Sequence, residues 1–365
     1  SALSYNANGN SAFQGSYMEQ WLNDTSVDGF LGNLREPDKF IKTDSVWNAT
    51  MTTSKTKPSK TTMVTDAVGL LNRYEYTMSY KNATYSTGYL NNGLYWWTLT
   101  PYNTSNGCNV KEDGYTKYSS LTNSYGYRPA INLKSTVKII EGDGTSDNPY
   151  RLEGDSDSPT DVLLSTRYSG EYIRFGTGEN NLYRIVSHEN GTGTKITSAT
   201  VLSNSDSYKN IAFGDNSTFS KDNTIGTFLN NDYLANETYL TSDQVNMIED
   251  NTTWYLGPVE NNYYKLAKYQ DETGSSLTTS TTTARVGLLR YGELMTGQFE
   301  NGTAYWTLTQ RNTSSVFYVD YYSYSNSNNP TNSYGSRPAM NLKQNVVITG
   351  GKGTKEEPFS IKLGS

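Results

Sequence analysis

Cysteine and histidine are almost missing from this 365-residue chain, with Cys108 and His188 the only examples of each. A lone thiol excludes an intramolecular disulfide framework and any thiolate zinc cluster. A lone imidazole leaves Ser-His-Asp triads, Cys-His dyads and most His-based metal sites without their usual reagents. Charge is scarce too, at 18% of residues, and the balance of 30 basic against 36 acidic side chains offers no attraction to nucleic acid or an anionic membrane. No apolar run approaches the roughly 18 residues that cross a bilayer, and Ser1-Ala2-Leu3-Ser4 opens neither a signal peptide nor a natural start. These absences point to a mature or trimmed protein that is not an enzyme, uses no cofactor or metal, and does not insert directly into a membrane in this form.

What is abundant is tyrosine, 31 residues, on a background rich in Ser, Thr, Asn and Gly. Tyrosine suits strands and equally suits contact surfaces, where it gives large area at low entropy cost. The uncharged polar background matches secreted and cell-surface β-rich proteins.

Self-comparison is the most informative step. Trp97-Thr98-Leu99-Thr100 recurs as Trp306-Thr307-Leu308-Thr309, and Asn123-Ser124-Tyr125-Gly126 with Arg128-Pro129-Ala130 recurs as Asn332-Ser333-Tyr334-Gly335 with Arg337-Pro338-Ala339. Asn132-Leu133-Lys134 returns as Asn341-Leu342-Lys343, and Gly142-x-Gly144-Thr145…Pro149 as Gly351-x-Gly353-Thr354…Pro358. Each pair lies 209 positions apart, as 97 and 306 or 149 and 358 show. Upstream, Val68-Gly69-Leu70-Leu71 matches Val286-Gly287-Leu288-Leu289, and Trp21-Leu22-Asn23 matches Phe228-Leu229-Asn230. The chain is read as a tandem duplication: a first repeat domain over 1–154, a polar linker over 155–160, and a second repeat domain over 161–365. The second copy opens with strand-like segments at Tyr172–Phe175, Leu182–Ser187 and Lys195–Thr197 that have no counterpart in the first. The first domain therefore reads as lacking its N-terminal strands. They are either lost, cleaved away or supplied by another chain, or else the start is merely trimmed or disordered.

Helices are few and short. Ser16-Tyr17-Met18-Glu19 fits a capping box ahead of Trp21-Leu22, Thr224–Asn230 is its counterpart, and Ser242 reads as a cap. Pro37 opens a helix through Ile41, and Tyr74–Tyr80 and Tyr291–Thr296 read as a third pair. Strands are expected at Tyr95–Leu99, Ala130–Leu133, Val137–Ile140, Tyr305–Leu308 and Val346–Ile348. The fold class is α+β, mainly antiparallel sheet with a few short helices.

Between Thr100 and Asn123 the copies keep their length while changing most residues, which suggests surface strands and loops with side chains in solvent. Two explanations fit, idle drift of exposed loops or a contact surface. The candidate ligand- or partner-binding residues are Tyr102, Asn103, Asn106, Tyr115 and Tyr118 in the first copy, with Arg311, Phe317, Tyr318, Tyr321, Tyr322 and Tyr324 in the second. Cys108 falls at a variable position taken as surface, aligned with Phe317. Arg128 and Arg337 are expected to bond core carbonyls or a carboxylate. Glu141, Asp143 and Asp147 could suggest Ca²⁺, but Lys352 replaces Asp143 in the second copy and favours a plain turn. Glu75 with Asp66 or Glu293 could be nominated as a hydrolytic carboxylate pair, yet no spacing singles them out.

The Tyr-Trp-Thr-Leu-Thr…Tyr-Gly-x-Arg-Pro-Ala-x-Asn-Leu-Lys…Gly-x-Gly-Thr…Pro pattern resembles an uncharacterised domain recurring in cell-surface and type IV pilin-like proteins of Gram-positive-type gut bacteria. More distantly, a Trp strand, a variable stretch and Gly-x-Arg-Pro-Ala resemble the C-type-lectin-like fold, shared by formylglycine-generating-enzyme-like domains and by the variable proteins of diversity-generating retroelements. The resemblance implies two tandem C-type-lectin-like domains. The paired cysteines of the enzyme have no match, since Phe317 stands opposite Cys108, so its activity does not carry over. The expectation is an extracellular structural or adhesive subunit of a pilus-like surface appendage. Its partners would be copies of itself and an unknown surface or glycan ligand. The alternative is a monomeric ligand-binding module.

Overall fold

The computed structural model describes residues 3–6, 9–25, 29–34, 36–80, 88–145, 148–153, 160–178, 180–188, 193–202, 210–256, 280–290, 293, 303–321 and 325–365. Short strands dominate, helices are brief, and the class is α+β. Among the described residues every strand-to-strand pairing is antiparallel except Trp96–Trp97 beside Gly126–Tyr127.

The apolar core falls into two bodies. One gathers Tyr5, Phe13, Trp21, Leu22, Trp47, Val68, Trp97 and Leu99, with a small satellite of Tyr76, Trp96 and Val110. The other runs from Leu164 to Phe359 around Trp254, Trp306, Val286 and Met340. The same devices hold both.

The side chain of Asn23 bridges helix to strand: its Nδ2 donates to Val68 O at 3.0 Å and its Oδ1 accepts from Val68 N at 2.9 Å. Asn230 does the same with Val286, at 2.9 and 3.0 Å. A half-buried amide that satisfies both groups of one buried backbone unit fixes register better than apolar packing alone. Trp47 donates Nε1–H to Asp66 O at 2.9 Å, and Trp254 to Ala284 O at 3.0 Å. Each indole lies flat on a glycine: a Cβ on Gly69 would meet Trp47 at 2.4 Å, and one on Gly287 would meet Trp254 at 2.7 Å. The Gly142/Gly144 turn (φ +90° and +81°) repeats at Gly351/Gly353 (+92° and +75°), a conformation open to glycine.

Helix starts follow the sequence closely. Ser16 accepts from Glu19 N at 3.1 Å and caps Tyr17–Asn23, while Glu19 turns its carboxylate to Gly15 N rather than closing the box. Asn72 and Glu75 form a complete capping box for Arg73–Thr77. The cap of Ser242–Met247 is Thr241 with Gln244, one residue before the expected Ser242. Thr224 opens Thr224–Thr227, which widens over Phe228–Asp232 and ends at Ala235. All of the 155–160 linker except Thr160, together with Asp147 and most of Tyr291–Thr296, lies outside the described residues.

The bodies differ at one sheet. In the second, Ala339–Leu342 is central, paired to Val286–Gly287 on one side and to Thr194–Ser198 on the other, with Leu182–His188 and Tyr172–Arg174 beyond. In the first, Pro129–Ile131 pairs only with Val68–Leu70 among the described residues.

Candidate contact surfaces

The segment that diverges between the copies forms most of a three-stranded meander in each. In the first it is Trp96–Asn103, Asn106–Val110 and Thr116–Ser120; in the second Tyr305–Asn312, Ser315–Val319 and Ser325–Asn328. Asn103 and Asn106 build the first hairpin turn: Asn103 Oδ1 accepts from Ser105 N at 3.0 Å and Asn106 N at 2.8 Å. Asn312 repeats the device toward Ser314 N at 2.9 Å. Such Asx turns define the hairpin ends without outside help.

The middle strand corrects the solvent-facing expectation. Cys108 and Phe317 are both buried, with Gly107, Asn109 and Val110 in one copy and Val316 and Val319 in the other. Thr98 donates its hydroxyl to Cys108 O at 2.9 Å and Thr307 to Phe317 O at 2.8 Å, so the strand is held alike in both. A strand paired on both edges and covered on both faces must bury its side chains, whatever their variability. Burial pushes the Cys108 thiol up to about 11. Cys108 and Phe317 are thus core positions and not surface residues.

The first strand is buried over most of its length, but its end and the third strand face outward, and here the copies carry different chemistry at matching positions. Tyr102 and Tyr118 stack across the first hairpin with ring centroids 4.0 Å apart and planes 10° from parallel. Their counterparts by the 209-residue offset are Arg311 and Ser327, where Arg311 Nη1 donates to Ser327 Oγ at 2.7 Å. Tyr118 and Tyr115 are exposed, and Lys55 Nζ sits 4.2 Å above the Tyr115 ring. In the second copy Tyr321 is exposed, while Tyr318 is half-buried and stacks on Tyr334 at 4.2 Å. Tyr322 and Tyr324 lie outside the described residues. The structure therefore brings Tyr102, Tyr118, Asn103 and Asn106 onto one sheet, with Tyr115 in the turn just before its third strand, and Arg311 and Tyr318 onto another.

The sequence also points to the first domain's open sheet and the domain junction as contact surfaces if subunits polymerise. A cleft of about 780 Å³ lies between the bodies, walled on one side by Phe40, Ile41, Ile131, Leu133 and Tyr150 and on the other by residues including Tyr172 and Arg184.

The charged groups and the lone histidine singled out in the sequence make the following contacts. Glu293 is buried, accepts from Arg290 N at 2.8 Å and pairs with Lys195 Nζ at 2.6 Å. Glu75 makes the same backbone contact, to Asn72 N at 2.8 Å, but is exposed. Burial, with Glu19 adding its charge, pushes the Asp66 carboxyl up to about 6. Asp143 Oδ1 accepts from Thr145 N at 3.0 Å within its turn. His188 holds Thr194 Oγ1 at 2.9 Å with Nδ1 and donates from Nε2 to Arg167 O, which engages both ring nitrogens. Arg337 donates Nε–H to Ser198 O at 2.9 Å with its guanidinium 5.3 Å from the Tyr305 ring; burial draws it down to about 10. Arg128 donates to Leu90 O beside Trp96. Both arginines bond carbonyls, as expected.

Among the described residues no cluster of His, Cys, Asp and Glu could hold a metal ion, and no helix is long and apolar enough to cross a membrane. No curated protein and no solved structure matches the chain. A family profile described as a domain of unknown function, DUF6273, matches residues 2–135, which is most of the first copy.

Proposed function

We propose that the chain is an extracellular, non-enzymatic contact protein, a structural or adhesive subunit of a bacterial surface appendage built from two tandem C-type-lectin-like domains. Its partners are copies of itself and a surface or glycan ligand. One observation carries this reading: positions 102 and 118 hold a stacked tyrosine pair, while 311 and 327 hold an arginine–serine hydrogen bond. Both sit on meanders whose turns and strand bonds are otherwise the same. A scaffold kept constant under a changed outward face is the pattern of recognition surfaces, where rigid aromatics and arginine dominate contact energy.

Electron microscopy of the purified chain and of cells displaying it separates the two readings. Filaments of regular subunit spacing support the appendage. Monomers that still adhere, and lose adhesion on Tyr102→Ala with Tyr118→Ala, support the monomeric binding module. Monomers whose adhesion ignores those substitutions and Arg311→Ala would contradict both.

A further inference from the structure

The two copies share a strand whose outer edge is covered in one and, among the described residues, bare in the other. In the second copy Thr194–Ser198 lies antiparallel on Ala339–Leu342, with Ile196 opposite Met340 and Thr194 opposite Leu342. Alternate residues of a strand direct their backbone groups to opposite sides. In the first copy Lys42 N donates to Asn132 O and Lys134 N donates to Phe40 O, both at 2.8 Å, on one side. The N–H and C=O groups of Ile131 and Leu133 therefore face the other side, where no described strand lies.

The side chains show the same difference. Ile131, Leu133, Ile139 and Tyr150 are 40, 43, 58 and 55% exposed, whereas Met340, Leu342, Ile348 and Phe359, their counterparts 209 residues on, are each 0% exposed. Phe359 is closed over by its neighbours, since Arg174 N donates to Phe359 O at 2.8 Å and Phe359 N donates to Tyr172 O at 2.9 Å. The acids differ in step: Glu293 meets Lys195 of the covering strand, while Glu75 stands in solvent with an identical backbone contact. An apolar face, an unpaired edge and an exposed acid thus coincide, and each is satisfied in the other copy by one neighbouring segment.

We infer that the Pro129–Leu133 edge accepts an added extended peptide segment, antiparallel and alternating in the manner of Thr194–Ser198, with a lysine that pairs with Glu75. Backbone bonds to Ile131 and Leu133 supply the ladder, and the apolar face receives the donor's inward side chains. The cleft between the bodies opens onto Ile131, Leu133 and Tyr150, which gives the donor access. The inference deepens the assembly half of the proposed function, but it stands on the internal comparison and its test involves neither filaments nor ligand.

The probe is a synthetic peptide with the sequence of residues 180–200, added to the purified chain. Binding should slow amide exchange at Ile131 and Leu133. Replacing the peptide's lysine by methionine should weaken binding about tenfold, Glu75→Gln in the chain should cost the same, and the two changes together should cost no more than either alone. Glu75 is exposed, so this variant folds. Absence of binding, equal binding by a scrambled peptide, or affinity indifferent to Glu75→Gln would overturn the inference. So would protection confined to Met340 and Leu342.

Discussion

The two halves use one set of internal fastenings, but among the described residues only the second has a strand on the far side of its Ala339–Leu342 element. Asn23 and Asn230, Trp47 over Gly69 and Trp254 over Gly287, and the paired glycine turns are interchangeable in geometry. What differs is whether strands 172–174, 182–188 and 194–198 have an equivalent. Where they lie, four apolar side chains and an acid are buried. Where they do not, the same positions meet solvent. Burial here is a property of the neighbour, not of the residue, and identical motifs carry unequal energetic weight in the two copies.

The strongest way to break that comparison is the acid. Glu293→Gln should cost about 3–5 kcal/mol, because Lys195 would be left buried without its counter-charge, while Glu75→Gln should stay within about 0.5 kcal/mol. Urea denaturation midpoints at constant m-value decide it. Next, Ile348→Ala should cost about 2–5 kcal/mol through lost packing and a cavity, against about 0.5 kcal/mol or less for Ile139→Ala. The fastenings should show no asymmetry: Asn23→Ala and Asn230→Ala should each cost about 1–3 kcal/mol, since each orphans a buried strand group. A large difference between them would mean that the scaffolds are not equivalent.

The smallest effect is a pH dependence confined to the first half, because Ala284 stands where the first half has Asp66. The folded-state pKa of Asp66 is raised from 3.8 to about 6, so the native state holds this proton more tightly than the unfolded state. Its favourable contribution is full below about pH 4 and is lost as pH rises toward 6. Asp66→Asn should flatten the stability profile across that window, read from thermal midpoints. An unchanged slope would assign the dependence to other groups.

The duplication, the α+β class, the glycine turns and most helix starts were legible in the sequence, because they rest on local chemistry repeated at fixed offset. Trp47 and Trp254 left a signal at an offset of 207 residues, with the flat glycines Gly69 and Gly287 as partners, but an indole stacked on a distant strand cannot be read from its neighbours in sequence. Cys108 and Phe317 misled because variability and polar surroundings imitate a loop; only the second pairing partner of their strand reveals that both faces are covered. The open edge was legible as missing segments, whereas its consequence, exposed Ile131, Leu133 and Tyr150, required the fold. The stacked Tyr102–Tyr118 pair is likewise a cross-strand contact that depends on hairpin register.

Amide hydrogen exchange in the monomeric chain tests the central claim most directly. The amides of Met340 and Leu342, covered by Thr194–Ser198, should exchange only through unfolding, while those of Ile131 and Leu133 should exchange orders of magnitude faster at an open edge. Equal protection at the two sites would contradict the account, because it would mean that the first half already carries the covering strand that distinguishes the second.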